Sequence, residues 1–244
     1  GWIQHRFFRW FEPWLCNRFD LILAISEGDR VLLAPRVDAD RLLMVPLTPE
    51  LDPDQCVPPA LDDEPVLLFV GAMSRDHNIA GVTWFLDEVW PRIREVRPET
   101  RFVIVGSHPP DALRKRVGEG VTVTGFVKDL TPWYRSATVF VSPLLVAGGL
   151  LQKVMDAMAM AVPVVATSVC NHGLRAVPGE HLIVADHPQS FADAVLSLLD
   201  DPATQERVGQ AGQAFVETHY DLERAIDRWE DGILGLIDKG KKNV

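Results

Sequence analysis

Cysteine is scarce in this sequence: Cys16, Cys56 and Cys170 are the only three, far apart in 244 residues. No Cys-x-x-Cys pair and no Cys/His spacing suits a structural metal, and an odd count argues against a disulfide framework. Free thiols in a reducing compartment are the expectation. Long apolar runs are lacking too, since no stretch approaches the roughly 18 residues that a membrane-spanning helix needs. The first residues are aromatic and basic without the apolar core of a signal peptide, which reads as a cytoplasmic chain. Basic charge is also short. Lys and Arg number 24 against 34 Asp and Glu, a net charge of −10. That balance argues against a nucleic-acid partner, which needs clustered cations on its phosphates, but leaves room for a local anion site. There is no internal repeat, and no Walker or dinucleotide glycine fingerprint. The sequence opens on Gly1 rather than Met, so a piece or a processed form of a longer polypeptide is expected.

What the sequence does contain is a globular composition, 47% hydrophobic with a mean hydropathy of +0.05. From residue 65 onward short apolar runs recur: VLLFVG (66–71), RFVIVG (101–106), VTVTG (121–125), ATVFVSP (137–143), VPVVAT (162–167) and LIVA (182–185). They are rich in β-branched residues and lack clean alternation, as strands covered on both faces do, so a parallel sheet is predicted. Helix-period segments lie between them. Ile79, Val82, Leu86, Val89, Ile93 and Val96 form one stripe, which Pro91 should kink or break near Trp90. Alternating strand and helix gives right-handed crossovers and an α/β fold with a Rossmann-like, doubly wound parallel sheet.

The flanks differ from this centre. Residues 1–50 read as helix (2–18), strand (21–26), helix (27–36) and strand (42–46), too little to close a core and so the tail of a larger domain. Residues 51–64, rich in Pro and Asp, read as a linker. Residues 65–220 form the main domain, with a helix predicted over 202–219, and 221–244 a second amphipathic helix crossing back to the first domain.

In an open parallel sheet, ligands bind beyond the carboxyl ends of the strands, near helix N-termini. Those ends carry Gly71, Gly106-Ser107-His108, Gly125-Phe126-Val127 and, after Pro143, the run LLVAGG leading into LLQKVMDAMAM. Gly148 and Gly149 permit close backbone approach at the mouth of a helix predicted to run from Leu150 to Ala161. Lys153 and Asp156 are its only formal charges, three residues apart on one face. Near a helix N-terminus Lys153 can neutralise a diphosphate and Asp156 accept from sugar or ribose hydroxyls; the plain alternative is a solvated salt bridge between the two.

Taken in order, VLLFVGAM, VTWFLDEVWPRIREVRPETRFVIVGSHPP, VTVTGFVKDLTPWYRSATVFVSPL, KVMDAMAMAVPVVAT and GEHLIVADHPQSFADAVLSLLDDP resemble the C-terminal, donor-binding domain of group-1 retaining GT-B glycosyltransferases. The likeness is strongest to sugar transferases of bacterial exopolysaccharide gene clusters. It covers roughly residues 65–220, and FDLILAISEGDRVLLAPR is similar to the end of the family's acceptor-side domain. The resemblance implies transfer of a sugar from a UDP- or GDP-linked donor to a glycan or lipid-linked acceptor, without a metal or other cofactor. It implies that Gly148, Gly149, Leu150, Leu151 and Lys153 seat the diphosphate. Asp156, at the second acid of the family's E-x7-E motif, would hold donor hydroxyls, which makes Lys153 and Asp156 the catalytic candidates. Gly125, Phe126 and Val127 would frame the nucleobase, and Gly71 and Gly106 let the backbone pass the donor. Retention would come from the leaving phosphate assisting attack on the same face.

There are departures from the pattern. The first acid of E-x7-E falls on Gly148, the family's Arg after the first glycine on Ala72, with Arg75 as a substitute, and the glycine that closes AMAMG on Ala161. The family's Pro-Asn-Gly-Val-Asp is Pro46-Leu47-Thr48-Pro49-Glu50 here. These departures bear on catalysis more than on fold. They motivate a second reading, a non-catalytic nucleotide-sugar-binding subunit; a nucleotide-sugar 2-epimerase, which shares the fold, ranks last. His77, His108 and His172 are weaker loop candidates, and Asp111, Glu119 and Asp129 read as solvated caps. The run WIQHRFFRWFEPWL suggests peripheral association with the inner face of a membrane. Its aromatics surround the helix rather than forming one face, so packing on the rest of a larger domain is preferred.

Overall fold

The structure, a computed structural model, describes residues 10–51 and 64–242. The expected helix over 2–18 is seen at 10–16 (α1), and its earlier residues lie outside the described ones, as does 52–63 of the predicted linker, Cys56 included. The chain divides into two compact units, one of residues up to Thr48 with those from Tyr220 onward, the other Pro49–His219.

In the first unit β1 (Ile22–Ala24), α2 (Glu27–Leu33) and β2 (Leu42–Met44) follow α1. The two strands pair in parallel, Ile22 opposite Leu42. Ser26 caps α2, its hydroxyl oxygen accepting from the Asp29 N–H.

The second unit holds β3 (Val66–Val70), α3 (Asp76–Trp84), α4 (Trp90–Val96), β4 (Arg101–Val105), α5 (Asp111–Arg114), β5 (Val121–Gly125), α6 (Thr131–Ser136) and β6 (Val139–Ser142). Next come α7 (Gln152–Ala159), β7 (Val164–Ala166), α8 (Ser168–Asn171), β8 (Ile183–Val184), α9 (Pro188–Asp200) and α10 (Pro202–His219). All six strands are parallel in the order β5-β4-β3-β6-β7-β8. The order reverses between β3 and β6, as in doubly wound folds. Leu67, Leu68 and Phe69 of consecutive positions are all fully buried, as are Val139, Phe140 and Val141. Both faces of the central strands are therefore covered, which is why the runs are continuous rather than alternating. The C-terminal helix α11 (Leu222–Lys242) belongs to the first unit, where Gly232 lets it lie close to Leu43 of β2.

Two helix details differ from the sequence expectation. The interruption near Pro91 is a π-helical stretch, Phe85–Val89, in which the Trp90 N–H reaches the Phe85 carbonyl. Pro91 then falls in the first turn of α4, where its missing N–H is harmless. Phe85, Leu86, Val89 and Ile93 stay buried, while Val96 drops off the stripe and is exposed. At the other helix, α7 starts at Gln152 rather than Leu150 and ends at Ala159. Its C-terminus is a Schellman motif: the Val162 N–H donates to the Ala157 carbonyl and the Ala161 N–H to Met158. Ala161 takes the left-handed position there, φ 55°, where glycine is the favoured residue.

Candidate functional site

The crevice at the carboxyl ends of β3 and β6 is built by close backbone approach. The Gly71 N–H donates to the Val105 carbonyl at 2.9 Å, and the Gly106 N–H to the Gly125 carbonyl at 3.2 Å. A Cβ at position 106 would overlap the Gly71 carbonyl oxygen, so this neighbourhood admits only glycine. Strand ends β3, β4 and β5 are thus locked side by side, and Gly71, Gly106 and Gly125 come together as the sequence groups them.

Lys153 reaches this spot from the first turn of α7. Its Nζ donates to Asn78 Oδ1 at 2.7 Å and stands 4.4 Å from the centre of the Phe69 ring. Asn78 is buried in the first turn of α3, and its Nδ2 donates to the Ala72 carbonyl at 2.9 Å. A Cβ at Gly71 would come within 2.7 Å of Lys153 Nζ, so the ammonium lies directly over the end of β3. The partners of this cation are a neutral amide and an aromatic face. Burial lowers the Lys153 pKa to about 8, an effect Cys170 partly opposes. A half-buried cation bonded to neutral groups gains most from an incoming anion.

Gly148 and Gly149 are exposed in the loop before α7, and Leu150 and Leu151 are half-buried. Leu151 is the N-cap of α7 and has no side-chain hydrogen bond to offer. The loop is braced from behind by Gly173, where a side chain would overlap the Gly149 carbonyl and crowd the Leu150 N–H. Gly149 has φ 68°, whereas a Cβ on Gly148 would meet no atom within 4 Å. The room for a side chain at the first acid position is therefore kept although the acid is absent.

Asp156 is not joined to Lys153. It is 4% exposed, and its Oδ1 accepts from the Glu50 N–H at 2.9 Å and from Gln152 Nε2 at 3.0 Å. Burial pushes its pKa up to about 6 against those bonds. The alternative of a solvated Lys153–Asp156 salt bridge is thereby set aside, because the two charges are separately partnered. Tyr134, fully buried, donates its hydroxyl to the Lys153 carbonyl at 3.1 Å and so braces the same turn of α7.

The remaining candidates sit at the rim. Phe126 is 80% exposed, and Val127 is half-buried beside it. Arg75 is exposed at the N-cap of α3, where its carbonyl accepts from the Asn78 N–H at 3.0 Å. His77, His108 and His172 are exposed, and His108 has φ 57°. Asp129 acts as a cap, accepting from the Thr131 N–H at 2.9 Å. Sequence reasoning missed Asn78, Tyr134, Phe69 and Gly173. The Asn in HNIAG, directly after the loop of β3, was the one available signal. Among the described residues no group of three or more His, Cys, Asp or Glu side chains is placed to hold a metal ion. No described helix is long and apolar enough to cross a membrane.

Comparison with known proteins adds the family. The model of the glycosyl transferases group 1 matches residues 64–201. The alpha-D-kanosaminyltransferase of Streptomyces kanamyceticus is 29% identical over 181 residues, 69% of this chain and 45% of that protein. An uncharacterised 44.6 kDa protein of the cps region of Klebsiella pneumoniae is 25% identical over 169 residues, 66% of this chain and 44% of the other. The chain spans less than half the length of these relatives. Among solved structures, Anabaena HepE in complex with UDP-glucose superposes with a TM-score of 0.74 at 14% identity, covering 94% of this chain and 67% of that one. Sucrose-phosphate synthase of Thermosynechococcus elongatus gives 0.71 at 21% identity, with 95% and 62% covered. At such identities the superpositions speak for the shared GT-B fold. With the matched stretch taking in β3 through α9, the chain belongs to the group 1 glycosyl transferases.

Proposed function

We propose that Pro49–His219 is the donor-binding half of a retaining glycosyltransferase, which seats the diphosphate of a UDP- or GDP-linked sugar between Lys153 and the Gly148–Leu151 loop. The observation that carries this reading is Lys153 itself, a cation over the end of β3 with Asn78 and Phe69 as its neutral partners. A diphosphate there would restore the charge partner that burial has removed, and the positive end of α7 would add to it. As the sugar–phosphate bond breaks, negative charge grows on the leaving oxygen, and a fixed cation stabilises that charge more than the ground state. Attack on the same face, assisted by the leaving phosphate, would retain the anomeric configuration without a protein nucleophile.

The acceptor is a glycan or a lipid-linked sugar in exopolysaccharide or cell-envelope assembly, a reading that the cps-region relative supports. The donor class is supported by the HepE complex with UDP-glucose. Peripheral contact with the inner face of a cell membrane would bring a lipid-linked acceptor within reach. The other unit, up to Thr48 and from Tyr220 onward, then belongs to the acceptor-side half.

Calorimetric titration with UDP and GDP tests the site: one of them binds, and Lys153→Ala weakens it by about 100-fold, as expected for a lost phosphate cation in a partly buried site. Equal affinity in the variant would place the diphosphate elsewhere. The missing carboxylate at Gly148 favours a second reading, a subunit that binds donor without transferring it. Anomeric NMR of donor incubated with the chain and candidate acceptors separates the two, because donor turnover is expected in the first case and none in the second.

A further inference from the structure

Asp156 carries the role of holding donor hydroxyls by resemblance, but its surroundings point to another. The stretch Pro46–Leu51 has no regular structure, so its amides have no ladder to satisfy them. Pro49 supplies no N–H, and the next two amides are those of Glu50 and Leu51. The Glu50 amide donates to Asp156 Oδ1 at 2.9 Å, across 106 positions of sequence. The Leu51 amide faces the same carboxylate and lowers its pKa slightly. Gln152, one turn earlier on α7, adds a second donor to Oδ1 and holds the carboxylate in orientation. With 4% of the residue exposed, little of the carboxylate is left to a ligand.

We infer that Asp156 is a positioning residue: it fixes the Glu50 and Leu51 amides to α7, and its carboxylate serves this stretch rather than the hydroxyls of a donor. A buried carboxylate that accepts from a backbone amide and a side-chain amide is a charge-assisted clamp, stronger than neutral hydrogen bonds and costly to leave half made. The clamp lies one turn of helix from Lys153. The helix that carries the proposed diphosphate cation therefore also holds the first residues of Pro49–His219. The anchoring rests on the hydrogen bonds to Oδ1; the statement about the donor rests on the donor-site reading above.

Two measurements test the halves separately. Amide hydrogen exchange of Glu50 and Leu51 is expected to speed up by about tenfold or more in Asp156→Ala and to stay near wild type in Asp156→Asn, whose Oδ1 still accepts. Unchanged exchange in the Ala variant overturns the clamp. Should the Ala variant not fold, NMR of Asp156→Asn decides: the Glu50 and Leu51 amide protons move upfield as a charged acceptor becomes neutral, and unmoved shifts overturn the clamp. For the donor half, UDP and inorganic pyrophosphate are titrated in parallel. Their affinity ratio is expected to be the same in wild type and Asp156→Ala, because pyrophosphate has no hydroxyls to lose. A selective loss of UDP would return the carboxylate to the donor and overturn that half. If wild type binds neither, the donor site fails while the exchange result still judges the clamp.

Discussion

The two units bury themselves to different degrees. In Pro49–His219 the central strands are sealed on both faces, with Phe69, Phe102, Phe140 and Phe191 all at 0% exposure. In the unit that joins the N-terminal residues to α11, large apolar side chains stand in the open: Trp10 at 65%, Leu32 at 66%, Trp229 at 45% and Leu234 at 58%. Its sheet is a single pair of strands. Among the described residues, two strands and three α-helices make too thin a shell to seal a core on both faces, and an apolar surface of this kind marks a surface of association. The lesson is one of division. The donor-side unit has what it needs to fold around its site, and substitutions should act in it as they do in a closed core.

The largest effect tests that closure. Gly106→Val places a branched side chain where the Gly71 carbonyl already sits, and backbone cannot move aside as a side-chain tip can. We expect a loss of about 3 kcal/mol or more in denaturant unfolding of the donor-side unit, the range of severe overpacking. A loss under about 1 kcal/mol would show that the three strand ends are not locked together as described.

Lys153→Met comes next and separates stability from binding. The ammonium has a pKa of about 8 in the folded chain and 10.5 as its ordinary value, because burial disfavours its charge. Between those values the unfolded chain holds more protons, so folding stability rises with pH from about 8 to 10.5 as the buried charge is relieved. Below pH 8 the full penalty applies. Met removes it while keeping contact with the Phe69 ring, against the cost of leaving Asn78 Oδ1 without its donor. A net gain of about 1 kcal/mol at pH 7 is expected, with the alkaline slope lost. Thermal unfolding across pH reads both, and a variant that keeps the wild-type slope would assign it to another group.

These two positions were legible to different degrees. Gly106 closes an apolar run, and such runs mark strands whenever both faces are covered, so all six strands of the donor-side sheet could be placed from the sequence. Lys153 stood out as a cation in an apolar helix. Its partner did not: Asn78 lies 75 residues earlier, and nothing local to either residue encodes the pairing. The same holds for Asp156 and the Glu50 amide, where i,i+3 spacing suggested a salt bridge that tertiary contacts replaced. The start of α7 was set two residues early because Leu150 and Leu151 suit a helix by composition, while the left-handed Gly149 and the brace of Gly173 hold them outside it. Pro91 gave the place of the interruption in its helix but not its π form, which depends on keeping Phe85 and Leu86 in the core. In the other unit, strands of three residues were found within longer predicted runs, because β1 alternates buried and exposed positions and β2 is only half-buried, with no layer sealing both faces to extend them.

A smaller effect follows from Ala161. Its φ of 55° is a position where an L-residue is strained and glycine is not, at the end of the helix that carries Lys153. Ala161→Gly should stabilise the donor-side unit by about 1 kcal/mol, less the entropy glycine adds to the unfolded chain. Chemical denaturation with an unchanged slope measures it. A destabilised variant would show that the Cβ packs more favourably than the backbone is strained.

The smallest expected effect lies in the other unit and gives the comparison its sharpest form. Leu32→Ser and Leu234→Ser remove apolar side chains that are 66% and 58% exposed. In a closed core each truncation would cost several kcal/mol through lost transfer energy and a cavity. Here little area leaves the interior and no cavity opens, so unfolding should shift by less than about 0.5 kcal/mol. Colloidal behaviour should move more than stability does, since an exposed apolar patch drives association and serine weakens it. Light scattering of the two variants against wild type would then show less self-association at equal stability. If the variants instead lose stability on the scale of core truncations, the first unit is closed in solution by a surface that covers these residues. The contrast between the units would then be one of partners rather than of cores.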